Sequence, residues 1–206
     1  MIRLFLSFAI GCLFAMPITA QEYPALHNVV GVAGNDVLNI RQSPTASSPI
    51  VGSLGPYQTG IEVVTSEQSG KWGLVNVNEA SGWVSLRFMA RAPQGYWLDL
   101  EQKLSCSGTE PFWSLSQGGN HISFDLNGQE TVYSLRAMGR SANNIGRAGF
   151  TAVTSAVNRS SISGFIAAQS CSDGMSDRQY GISVDLMLQK NADMKMLSGC
   201  CSLLQH

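Results

Sequence analysis

Apolar residues along this chain recur at every second position. Leu38 and Ile40 flank Asn39, Ile61 and Val63 flank Glu62, and Val75 and Val77 flank Asn76. Further on, Ile122, Phe124 and Leu126 alternate with His121, Ser123 and Asp125, and Tyr180, Ile182, Val184, Leu186 and Leu188 hold the alternation over nine residues. A period of two is the signature of a strand that buries one face, and no window sustains a helical period. Gly, Pro, Ser and Asn clusters separate the runs, as turns do between short strands. Gly118-Gly119 divides Trp113–Gln117 from His121–Leu126, and Asn127-Gly128 divides the latter from Thr131–Ala137. Asn-Gly between alternating runs is a strong hairpin signal. The pattern predicts an all-β protein.

Arg91-Ala92-Pro93-Gln94-Gly95 interrupts the alternation and marks a domain boundary. Residues 21–91 then form one small β module, 92–103 a linker, and 104–206 an antiparallel β-barrel or sandwich. Within the linker, Tyr96-Trp97-Leu98-Asp99-Leu100 is apolar enough to pack on a module. In the first module, Val29–Val32 reads as the opening strand and Gly34-Asn35-Asp36 as a turn. Residues 42–49, with two prolines and four Ser or Thr, read as a long surface loop.

The run Leu38-Asn39-Ile40-Arg41, then Pro44, Gly60, Gly70-Lys71-Trp72 and Gly82-Trp83-Val84, closely resembles the bacterial SH3-like (SH3b) family over about a quarter of the chain. The resemblance implies a small barrel that serves as a binding module of the cell envelope, with the 42–49 loop beside its ligand groove. Candidate ligand-binding residues are Arg41, Ser43, Tyr57 and Trp72. Tyr57, Trp72, Trp83 and Phe88 have two readings. As bulky fillers they close a small core; alternatively, Tyr57 and Trp72 line an exposed groove for an extended peptide, with Trp83 remaining structural.

In the second module three motifs stand out: Cys106-Ser107-Gly108-Thr109-Glu110-Pro111-Phe112-Trp113, Cys171-Ser172-Asp173-Gly174-Met175-Ser176-Asp177-Arg178, and Gly199-Cys200-Cys201. In this order they resemble a family of bacterial envelope domains. That resemblance implies a fold and a location and brings no activity with it. Consecutive strand residues point to opposite faces, so Cys200 and Cys201 should each reach a different partner. Cys106–Cys201 with Cys171–Cys200 is the favoured pairing, and the swapped pairing stays open. Glu110, Asp173, Asp177 and Arg178 form a candidate polar site at one end of the barrel, Arg178 gripping a carboxylate. In the structural alternative Asp173-Gly174 is a turn and Glu110 pairs with Arg178.

Composition narrows the classes. Arg3, the apolar run Leu4–Ala15 and Ala20 read as a secretory signal over residues 1–20, too short for a membrane span. Lipoprotein attachment at Cys12 would leave a very short signal and is not expected. Without those residues, 12 basic face 14 acidic side chains, with no basic run, which argues against nucleic acid and against anionic membrane as partners. Four remaining cysteines in an exported chain read as two disulfides rather than a metal site, there being no C-x₂-C pair. No nucleophile turn of the Gly-x-Ser-x-Gly kind occurs, and His27, His121 and His206 are scattered. The expectation is a periplasmic, non-catalytic binding protein without metal, cofactor or stable membrane insertion. Its SH3-like domain would take a peptide of peptidoglycan or of an envelope protein. The alternative gives the role to the C-terminal barrel. A cavity lined by Phe124, Tyr133, Ile182 and Leu186 would make it a small-ligand carrier; a filled interior with an exposed Glu110-Pro111-Phe112 loop would suit an inhibitor of a wall-cleaving enzyme.

Overall fold

A computed structural model describes residues 23–93, 97–99, 103–155 and 160–204. The signal reading of residues 1–20, Cys12 and His206 lie outside the described residues. Every regular element among those described is a strand, apart from two single 3₁₀ turns at Leu86–Phe88 and Trp97–Asp99.

The N-terminal module has two sheets. Its strands are β1 (Ala25–Val29), β2 (Leu38–Arg41), β3 (Ile50–Leu54), β4 (Ile61–Val63), β5 (Thr65–Ser66), β6 (Trp72–Val77), β7 (Ala80–Ser85) and β8 (Met89–Arg91). They are ordered β4-β1-β8 and β3-β2-β7-β6-β5. The opening strand is Ala25–Val29, four residues earlier than the Val29–Val32 expected. Gly31 at φ +68° turns the chain away, in a region that favours glycine. The core between the sheets is aliphatic: Val29, Leu38, Ile40, Leu54, Val63, Val75, Val84 and Met89. The reading of the aromatics as core fillers is corrected. On β6, Gly73 and Val75 are the buried positions, so half-buried Trp72 and Leu74 point outward. Trp83, opposite Leu74, is likewise half-buried on that outer face, and Tyr57 is 77% exposed. Of the four, Phe88 packs against the core as a partly buried neighbour.

The C-terminal module is a closed eight-stranded barrel in simple up-and-down order, which settles barrel against sandwich. Its strands are β9 (Leu104–Thr109), β10 (Phe112–Gly118), β11 (His121–Leu126), β12 (Gln129–Arg140), β13 (Arg147–Val153), β14 (Ser160–Cys171), β15 (Tyr180–Lys190) and β16 (Asp193–Leu203). The Asn127-Gly128 turn has φ +53° and +83° and joins Leu126 directly to its partner Gln129, as a tight two-residue hairpin requires. Closure comes from pairing β16 with β9, Cys201 lying opposite Cys106. The alternating inward residues, among them Ile122, Phe124, Ile162, Ile182, Val184 and Leu186, fill one core.

The first and last motifs are the closing seam. Cys106 and Cys201 are bonded inside the barrel, and Cys171 and Cys200 are bonded on the other face. Trp113 is buried opposite Gly108. A Cβ on Gly108 or on Gly199 would overlap its indole, so two glycines on β9 and β16 form the flat bed this ring needs. Both disulfides fit an oxidising, exported location. No described helix is long and apolar enough to cross a membrane.

Candidate functional site

The groove of the N-terminal module is built on outward positions of β2, β6 and β7. Two cavities of about 530 Å³ each share Trp72 and Ser85. One also takes in Asp36, Arg41, Ala46 and Phe88; the other takes in Lys71, Leu86 and Arg87. Trp72 therefore stands between an aromatic–apolar stretch and a basic one. Its place is set by Glu67, whose carboxylate accepts from Ser69 N at 2.5 Å, Ser69 Oγ at 2.6 Å, Lys71 N at 2.8 Å and Trp72 N at 3.2 Å. Those donors, Ser69 first, hold the Glu67 carboxyl down at about 2. Gly70, at φ +67°, completes this turn.

Arg41 donates from Nη1 to Ser48 O at 2.7 Å, and Ser48 Oγ accepts from Ser43 N at 2.9 Å. The 42–49 loop is thus folded onto Arg41 and delivers Ala46 to the groove wall. Arg87 lies over the Phe88 ring at 5.6 Å, a cation–π distance. Of the four candidates, Arg41 and Trp72 come together. Ser43 serves the loop's own hydrogen bonding. Tyr57 lies against Gly34, whose added Cβ would meet its hydroxyl, outside this lining. Lys71, Arg87 and Glu67 were missed by sequence reasoning. The Glu67-x-Ser69-Gly70-Lys71 turn was the signal available for Glu67 and Lys71; none pointed to Arg87.

Of Glu110, Asp173, Asp177 and Arg178, Asp173 and Arg178 both reach the Tyr180 hydroxyl, which donates to Asp173 Oδ2 at 3.3 Å, and Thr109 Oγ1, beside Glu110, donates to Asp173 O at 3.1 Å. Asp173 closes its own turn, accepting from Ser176 Oγ at 2.7 Å, Ser176 N at 2.9 Å and Met175 N at 3.0 Å. These bonds, Ser176 N first, lower its carboxyl to about 2. The expected Glu110–Arg178 pair is corrected: Arg178 donates from Nε to Asn78 O at 2.5 Å and pairs through Nη2 with Glu79 at 3.3 Å. Glu110 is exposed at the β9–β10 turn. The loop after Cys171 is a latch on the β6–β7 hairpin of the other module. Asp177 N donates to Glu79 O at 2.8 Å. Asn76 grips the Gln179 backbone twice, Nδ2 to the carbonyl at 2.9 Å and Oδ1 from the N–H at 3.1 Å.

A second contact joins the modules through β4. Glu62 Oε1 accepts from Leu203 N at 3.3 Å, and burial lifts its carboxyl to about 7 against the opposing pull of the Leu203 and Ser202 hydrogen bonds. Leu26, opposite Glu62 on β1, belongs to the barrel's core cluster, as do Ala92, Trp97 and Leu98. Trp97 and Leu98 of the linker thus pack on the barrel. The carrier positions Phe124, Tyr133, Ile182 and Leu186 are all buried in that same cluster, while Phe112 is 60% exposed. Among the described residues, no group of three His, Cys, Asp or Glu side chains is placed to hold a metal.

Neither a curated protein nor a solved structure matches this chain. The family model of the bacterial SH3 domain matches residues 36–90, the span from the groove's Asp36 through β2–β7 into β8. Residues 36–90 thus match the bacterial SH3 domain family, and the Trp72 groove lies largely within that span.

Proposed function

We propose that this is an exported, non-catalytic binding protein of the bacterial envelope whose SH3 domain takes an extended, acidic peptide. The family supports a binding role, and peptidoglycan stem peptides or a segment of an envelope protein are the sources that fit. The observation carrying this reading is the shared position of Trp72, between Arg41 and Phe88 on one side and Lys71 and Arg87 on the other. An aromatic face flanked by cations suits a chain with carboxylates along an extended backbone. Arg41, Lys71 and Arg87 outnumber Asp36, the one carboxylate that lines the two cavities.

The test is retention of the full chain on purified peptidoglycan. Trp72→Ala should cut retention about tenfold, a loss of about 1.4 kcal/mol. Unchanged retention, with the native melting temperature, would remove the groove from the account. A second reading rests on the filled barrel and exposed Phe112. It makes the Glu110-Pro111-Phe112 turn an inhibitory wedge for a wall-cleaving enzyme, and Phe112→Ala should then abolish protection of peptidoglycan from lytic enzymes.

A further inference from the structure

Two cavities on the outer flank of the barrel meet at Gln169. The first, about 400 Å³, lies over β12–β15 and is lined by Arg140, Arg147, Phe165, Ser183 and Asp185 among others. The second, about 370 Å³, enters the cleft between the modules between Tyr23 and Tyr180, with Gln179 and Ser170 beside them. Both include Gln169. Together they make one trough, each half being of small-ligand size.

Its floor is unusual for a barrel exterior. One row across the wall runs Gly139, Gly149, Phe165, Asp185, each paired with the next. Nothing stands where a Cβ on Gly139 would be, and the Phe165 ring leans over Gly149 at 3.9 Å from the Cβ that residue lacks. Phe165 is 58% exposed although the barrel's own core is complete without it. A bare aromatic ring beside glycines offers a flat apolar face open to stacking. The register of β14 on β15 shifts between Ala168 and Cys171; such bulges re-aim side chains beside binding sites. The shift falls at Gln169 and Ser170, at the join of the two cavities.

The chemistry along the trough alternates ring faces with amides and hydroxyls, and its outer end carries two arginines. Asp185, the carboxylate there, already accepts from Ser198 Oγ at 2.6 Å. A peptide would call for side-chain pockets at two-residue spacing. A pyranose instead offers a C–H face to a ring and a rim of hydroxyls to amide and hydroxyl groups. We infer that this trough binds an acidic oligosaccharide, one sugar stacked on Phe165 with its carboxylate toward Arg147, and the strand running past Gln169 to Tyr180. This site is separate from the SH3 groove and does not depend on it.

The experiment is calorimetric titration of the full chain with two tetrasaccharides. One alternates N-acetylglucosamine with N-acetylmuramic acid; the other, chitotetraose, has the same rings without carboxylates. The acidic strand should bind at least about tenfold tighter. Phe165→Ala should weaken both about tenfold, Arg147→Ala should erase the preference, and Trp72→Ala should change neither. Both trough positions are exposed, so the variants should keep the native circular dichroism and melting temperature. No binding of either sugar at about 5 mM, binding indifferent to Phe165→Ala, or displacement of the sugar by a free stem peptide would each overturn the inference.

Discussion

Glu62 makes the contact between the modules depend on pH. Burial raises its carboxyl from 4.5 to about 7 in the folded chain, so the folded state holds this proton more tightly than the unfolded state does. Where the folded chain binds more protons, stability falls as pH rises. The Glu62 contribution is therefore fully present below pH ~4.5 and is lost as pH climbs through about 7. At about 1.4 kcal/mol per pH unit the whole effect has a ceiling of about 3 kcal/mol. Partial exposure of the residue and the part already lost at pH 5 bring the change between pH 5 and pH 8 to about 2 kcal/mol. His27, on the neighbouring strand, has the opposite sign: burial lowers its pKa, so its contribution grows as pH rises toward ~6.5.

Glu62→Gln isolates the effect. Glutamine keeps an oxygen for Leu203 N but has no proton to release, and His27 is the same in both proteins. Urea unfolding at pH 5, 6, 7 and 8 should show the variant gaining on the native chain by about 2 kcal/mol across that range. The gain should level off above pH 7. Parallel stability profiles for the two proteins would refute the burial of this carboxylate at the contact.

Asn76→Ala combined with Ser81→Ala removes all three side-chain bonds to the Gln179 backbone and should cost about 2–3 kcal/mol, read as faster hydrogen exchange at the Gln179 amide; unchanged exchange would mean that the latch is not formed in solution. The Cys106–Cys201 bridge spans 95 residues and Cys171–Cys200 spans 29. By loop entropy the inner pair should be worth about 1 kcal/mol more, and urea unfolding of the two double Cys→Ser variants measures the difference. Gly199→Ala places a methyl group against Ser107 O and the Trp113 ring. It should cost about 2–3 kcal/mol and shift tryptophan fluorescence, and native fluorescence at native stability would refute the glycine bed.

The alternation of Ile122, Phe124 and Leu126, and of Tyr180 through Leu188, was enough to place strands and their buried faces, because a period of two fixes which side meets the core. Asn127-Gly128 fixed a register as well as a turn. Trp72 stayed open between filler and groove wall, and Trp83 read as structural, because size alone suggests burial. Their parity relative to Gly73, Val75 and Val84 puts them on the outer face, and only the pairing of β6 with β7 shows which face that is. Arg178 was legible as an ion-pair former but its partner was not, since Glu79 is 99 residues away and no local pattern links them. The groove's Lys71 and Arg87 lie on separate elements and meet only after folding.

The motifs that make the second module recognisable are the ones that build it. Cys106, Gly108, Trp113, Gly199 and Cys201 all belong to one closing seam: a disulfide inside, an indole on a glycine bed, and a β16–β9 pairing that leaves no edge. Asp173 through Arg178 spend their polar atoms on a turn and on the other module. The proposed binding side chains lie outside those motifs, at Arg41, Trp72 and Arg87 in the groove and at exposed Phe165 and Arg147 on the barrel wall. Because the latch, Glu62 and the buried Trp97–Leu98 segment tie the two modules together, those two surfaces are held at a fixed separation. A ligand long enough to reach both would bind with the gain of an intramolecular second step. Loosening the latch through Asn76→Ala should then weaken whole peptidoglycan more than it weakens either fragment alone.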